Sequence, residues 1–280
     1  MKAGYRQGSK KEWVDQFDSL PEALQYAKEN TNRKSSDKQE TGEKWYGSKN
    51  LDTAVEMGMS GWHDIRPEVD EMFSKMEEHI SVAIGEVFQT KYDFGGDSVD
   101  MDRYLQGDPE CMIDYVSEPA GRMGRVIRIH VAICASASVS TERIMRRGVL
   151  ACALVDCLNK LGVGVEVWTE EACSNRGDQK WSTLIKLHSS EERLDINNLM
   201  FALAHPSMLR RVGFSILERS KWPSAASMVT NSYGTPCDML SGTDIEADIS
   251  IERTQLSIGD STESGVEFIM SAIKGLDLIK

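Results

Sequence analysis

The residues best suited to chemistry cluster between positions 134 and 147. Cys134-Ala135-Ser136-Ala137-Ser138 is a small-residue turn with one thiol and two hydroxyls, and Ser140 follows closely. Hydroxyls in such a turn can receive a carboxylate or a loop from a protein partner. They can equally turn the chain and cap a helix. Arg143, Arg146 and Arg147 come next, and Arg122, Arg125 and Arg128 precede the turn. With Glu142 as the sole acid, the segment 121–147 carries a charge of +5. A helix N-terminus inside a basic segment attracts anions, so Arg122, Arg125, Arg143, Arg146 and Arg147 form a candidate phosphate or nucleic-acid surface. The competing use of these arginines is a solvated helix face, or pairing with acidic residues elsewhere in the chain.

Catalytic constellations are harder to assemble. The chain has no P-loop, GxSxG, HExxH or complete GxGxxG, and Gly162-Val163-Gly164 alone is a weak signal. His130 and Cys134 lie on one strand face but about 13 Å apart at roughly 3.3 Å per residue, too far for a dyad. Pairing of Cys134 with a distant histidine stays open, His63 beside Trp62 falls in a turn, and no catalytic residue is assigned. Asp93, Asp97, Asp100, Asp102 and Asp108 crowd one region, but their spacing is not that of an EF-hand loop. Solvated turns are the first reading, a divalent-ion site the second. The six cysteines include no CxxC pair, which argues against structural zinc and for reduced, packed thiols. No metal and no cofactor is assigned.

The elements that position these residues form a β-α-β unit. Val126 to Ile133 is a β-branched run that reads as a buried strand. Ser140-Thr141 then caps a helix through Ile144, Leu150, Leu154, Leu158 and Leu161, which Gly162 stops. Val163 to Trp168 reads as a second strand, and Trp181 to Leu187 as a third. Ligands of open α/β sheets approach the carboxyl ends of the strands. That edge carries Ser136, Ser138 and Ser140 after the first strand, with Thr169 and Glu170 after the second, and these form the candidate protein-binding surface.

Elsewhere, Ser19-Leu20-Pro21-Glu22 fits a capping box for a helix to about Lys28. Residues 30–44 read as a solvated loop or linker, and 1–12 as polar and poorly ordered at the start. Asn50 or Ser48 caps a helix that Gly58 stops. Trp45 and Trp62 are read as packing anchors. From Pro67, Val69, Met72, Met76, Ile80, Ile84 and Val87 trace an amphipathic helix. Asp195 caps a helix that Pro206 interrupts, followed by a second over 208–217. Residues 221–240 read as an irregular excursion and 245–253 as a half-exposed strand. A last helix is capped near Ser261 or Thr262.

The net charge of −12 is uneven, with 14 basic against 25 acidic residues in 1–120 and 18 against 19 in 121–280. The expectation is an acidic, mainly helical region over 1–120 and an α/β domain over 121–280, with a boundary near Glu118-Pro119-Ala120-Gly121. No run is long and apolar enough to span a bilayer and the N-terminus lacks a signal-peptide core, so a cytoplasmic protein without a membrane partner is expected.

The order strand, Ser-rich turn, helix, strand over 126–168 resembles the opening of von Willebrand factor A-type domains, especially the compact kind found beside AAA+ ATPases. That resemblance implies a Rossmann-like, mainly parallel sheet flanked by helices. The family's metal motif, Asp-x-Ser-x-Ser, corresponds here to Cys134-Ala135-Ser136-Ala137-Ser138. Cysteine replaces the aspartate, so the motif is degenerate and a hard magnesium site is not implied. The acidic, Trp-marked N-terminal part resembles uncharacterised bacteriophage proteins. Together these features imply a non-catalytic binding or adaptor protein, working with a host or AAA+ partner. The alternative is an anion- or nucleic-acid-binding protein using the arginine segment.

Overall fold

The β-branched run at 126–131 lies inside a seven-stranded mixed sheet. A computed structural model describes residues 2–5, 12–38, 43–64, 66–68, 70–71, 74, 88–94, 98–117, 126–160, 162–175, 179–240, 245–255 and 261–276. The strands of this sheet are β1 (Lys2–Tyr5), β2 (Glu12–Phe17), β6 (Val126–Ala132), β7 (Gly164–Ser174), β8 (Lys180–His188), β9 (Thr235–Pro236) and β10 (Ile249–Ile251). They are ordered β1-β2-β8-β7-β6-β10, with the short β9 also on β7. β10, β6 and β7 run parallel, β8 is antiparallel to β7, and β2 is parallel to β8. A separate three-stranded sheet contains β3 (Phe88–Asp93), β4 (Ser98–Val99) and β5 (Met112–Ser117).

The helices are α1 (Leu20–Lys28), α2 (Glu43–Tyr46), α3 (Leu51–Ser60), α4 (Met101–Leu105), α5 (Thr141–Lys160), α6 (Ile196–Ala204), α7 (Phe214–Arg219), α8 (Pro223–Thr230) and α9 (Thr262–Gly275). α5 forms where the serine cap and apolar stripe place it, with Arg143 N–H donating to Ser140 Oγ at 3.3 Å. The chain leaves it through Gly162 at φ 70°, a left-handed turn that favours glycine. Midway, Gly148 permits close contact with α6, where a Cβ would stand 2.2 Å from Ala204 Cβ. Gly58 does not stop α3, which runs on to Ser60. It packs instead on α6, where a Cβ would meet Phe201 at 2.7 Å.

The compositional boundary near 118–121 does not divide two cores. Phe17, Leu24, Leu51 and Trp62 share one cluster with Ile127, Leu150, Phe201 and Ile269. Besides its helices, the N-terminal part supplies β1 to β5. Residues 12–17 join the sheet because their alternation buries Phe17 on one side. Their one buried carboxylate is satisfied: Asp15 accepts from the indoles of Trp181 and Trp222 at 2.9 Å each.

The polar stretch from Asn30 is not a solvated linker. Asn30 and Ser36 are buried, and Glu218 of α7 accepts from Asn30 Nδ2 at 2.8 Å and from the Ser36 N–H at 3.0 Å. Arg211 donates to the carbonyls of Ser36, Lys38, Ser48 and Lys49 and so fastens the loop from inside. Residues 221–240 likewise contain α8, started by Pro223 in its first turn. The amphipathic helix expected over 67–87 falls for the most part outside the described residues, as do Asp97, Arg122 and Arg125. Of the other acidic residues, Asp100 accepts from the Arg103 N–H and Asp108 pairs with the Arg103 guanidinium at 3.3 Å. No helix among the described residues is long and apolar enough to cross a membrane.

Candidate functional site

The chain passes from β6 through α5 to β7 on one side, while β10 lies on the other side of β6. Strand order therefore reverses at β6, the place where open α/β sheets leave a crevice at their carboxyl ends. Beyond Ala132 the backbone stays attached to β7, with the Ile133 N–H donating to Glu170 O at 2.9 Å. Cys134 and Ala135 then diverge, and a cavity of about 280 Å³ opens between them, Glu171 and Cys173 of β7, Ser35, and three further segments.

Those segments supply its aromatic and cationic walls. Trp45 and Tyr46 come from α2, and Leu209, Arg210 and Phe214 from the chain after α6. There Met208–Gly213 is π-helical, a local widening that recurs at functional sites. The last wall is the turn Ser232-Tyr233-Gly234, three successive residues with φ of 59°, 68° and 75°. Such a conformation costs energy at Ser232 and Tyr233, and local contacts hold it. Tyr233 stacks on Phe214 at 4.3 Å, donates its hydroxyl to Glu218, and accepts from the Ser35 N–H at 3.0 Å.

Three arginines are buried around this region. Arg210 stacks over the Trp45 ring at 4.0 Å and donates to the carbonyls of Trp45 and Val139 at 2.7 Å each. Arg211 covers Tyr46 at 3.9 Å. Arg147, fully buried, donates to Ile133 O at 3.0 Å and Cys134 O at 3.4 Å, fixing the main chain at the end of β6. Burial lowers Arg147 and Arg210 to about 10 each, so both remain cations at neutral pH.

Glu171 is the lining carboxyl group. It is 6% exposed, and its Oε2 has no hydrogen-bond partner. Burial alone pushes its carboxyl up to about 8. The group fits because residue 213 has no side chain, as a Cβ there would stand 1.7 Å from Glu171 Oε2. Burial pushes the Cys134 thiol up to about 11, so it stays protonated at neutral pH. Its sulfur contacts Cys237 O at 3.5 Å and no histidine is bonded to it among the described residues, which removes the distant Cys–His pairing.

The structure separates the sequence-predicted residues. Ser136, Ser138 and Ser140 are exposed on the turn beside the cavity, and the first two hydroxyls lie 3.2 Å apart. Thr169 and Glu170 are not at an exposed strand end. β7 continues to Ser174, and both side chains are fully buried. Thr169 Oγ1 donates to Val131 O at 3.1 Å, while Glu170 accepts from the Leu240 N–H at 2.9 Å and lies 3.1 Å from His130 Nε2. Both are therefore internal braces.

The arginine segment is also divided, with Arg143 and Arg146 exposed on α5 and Arg147 turned inward. Trp62 is buried against His205 as an anchor, whereas Trp45 is half-buried and forms a cavity wall. Glu171, Arg210 and Tyr233 escaped sequence reasoning because three separate segments bring them together.

A family model described as "Domain of unknown function (DUF7192)" matches residues 4–276. The chain belongs to the DUF7192 family. The match runs from β1 through α9, so it takes in every wall of the cavity. No curated protein and no solved structure matches the chain.

Proposed function

We propose that this DUF7192 chain is a binding or adaptor protein with a Rossmann-like, A-type domain, and that a protein partner docks at the carboxyl ends of β6 and β7. The observation that carries this reading is the juxtaposition of the exposed Ser136-Ala137-Ser138 turn with the adjoining 280 Å³ cavity. A partner loop resting on the turn can place one side chain in the cavity. The turn is backed by the framework such a surface needs: Trp45 Nε1 donates to Ala137 O at 3.1 Å, and Arg147 holds the two carbonyls before it. The hydroxyls of Ser136 and Ser138 stay at the surface, where they can receive a partner carboxylate or carbonyl.

The test is affinity capture from the native lysate at low and high salt, read by mass spectrometry. A partner that survives salt, and is lost with Ser136→Ala/Ser138→Ala and with Ala137→Trp, supports the reading. Retention of that partner by both variants overturns it. Recovery of salt-released nucleic acid instead moves the function to Arg143 and Arg146 on α5.

A further inference from the structure

One wall of the cavity is a carboxyl group with nothing to bind. Glu171 is 94% withdrawn from solvent, its Oε2 is unpartnered and packs against Gly213, and the residue lines a space large enough for a side chain or small molecule. A buried polar atom left in this state is a cost to the fold, which an arriving ligand can remove.

The surrounding groups define what that ligand must be. Cys134 and Cys173 are thiols raised by burial, and Cys173 donates to Met228 Sδ at 3.2 Å. Tyr233 is a phenol raised by burial and already bonded to Glu218. Tyr46 is covered by Arg211. Arg210 is the lining cation, but it donates to two carbonyls and lies flat on Trp45. The upward shift of Glu171 has burial as its cause. Glu171 therefore keeps an uncommitted carboxyl in a pocket walled by Trp45, Phe214 and Tyr233. A carboxylate among aromatic rings is the arrangement that binds organic cations.

We propose that the cavity binds an alkylammonium group, either a free primary amine or the lysine side chain of a docked loop, with Glu171 as its counter-ion. This rests on the cavity being the docking site. The proton on Glu171 leaves to solvent as the ammonium enters, so the ion pair forms with net release of one proton, and no bond to the ligand is made or broken. Binding consequently strengthens as pH rises from the ordinary carboxylate range towards 8, where the empty site loses its own proton.

The experiment is calorimetric titration of the full chain at pH 7 with n-butylammonium chloride and, separately, with a Gly-Lys-Gly peptide blocked at both ends. Each is run in two buffers of different ionisation enthalpy, and 1-butanol and sodium butyrate serve as controls. The expected result is saturable one-to-one binding of an amine with proton release into the buffer. Affinity falls by roughly tenfold or more in Glu171→Gln. The tighter of the two amines identifies the source. Binding without proton release, equal binding of butanol or butyrate, or no amine binding overturns the proposal, and these wild-type readouts stand even if the variant misfolds. If a partner is still captured through the Ser136–Ser138 turn while amines do not bind, the docking reading stands and the cation is wrong. Loss of both removes the site altogether.

Discussion

Replacing Glu171 by glutamine isolates the cost of the buried carboxyl. The folded-state value of about 8 exceeds the ordinary 4.5, so between these pH values the folded chain holds a proton that the unfolded chain has released. Stability therefore falls as pH rises through this window, and the full penalty is present above about 8. At 1.36 kcal/mol per pH unit the ceiling is roughly 5 kcal/mol, and relaxation around the charge brings the expected effect to about 2–4 kcal/mol. Glutamine does not titrate. Urea denaturation of both proteins at intervals from pH 4.5 to 8.5 reads the difference directly, because any constant packing cost of glutamine cancels in the slope. The expected outcome is that wild type loses this amount relative to Glu171→Gln across the interval. Parallel stability curves would refute the assignment of a protonated, desolvated carboxyl to the cavity.

Other perturbations test the framework. Arg211→Ala removes donors from four main-chain carbonyls and should destabilise by about 2–4 kcal/mol in urea, with cleavage by protease appearing near Ser36–Lys38 and Ser48–Lys49; a change below about 0.5 kcal/mol would contradict the clamp. Gly58→Ala forces a Cβ against Phe201 and should cost about 1–3 kcal/mol, seen as a lower denaturation midpoint. Cys134, with its thiol near 11, should resist iodoacetamide at pH 8 while half-buried Cys111 reacts first, as peptide mass spectrometry would show; rapid labelling of Cys134 would contradict its burial.

The β6-α5-β7 unit was legible because its signals are local: a β-branched run, a serine cap and a glycine stop. The sheet beyond it was less so. Glu12–Phe17 carries Asp15, and a buried carboxylate reads as surface until the indoles of Trp181 and Trp222 are brought to it. In the sequence β7 reads as ending at Trp168 because Thr169-Glu170-Glu171 is polar, yet each of these side chains lies inside the protein. The loop after Asn30 reads as solvated because its polar groups satisfy Glu218 and Arg211, 175 to 188 residues away in sequence. The inward course of Arg147 had a signal, since it lies three residues from both Ile144 and Leu150 on the apolar stripe of α5. The cavity itself had none, because long-range packing alone joins 45, 171, 210 and 233.

The most direct test of the site is to titrate the captured partner into isotope-labelled protein and map the amide shifts by NMR. Docking at the strand ends predicts that the largest shifts concentrate on 134–140, on 209–214 and on the 232–236 turn. Shifts centred instead on Arg143 and Arg146, or on the exposed Tyr104 and Leu105 of α4, would contradict it.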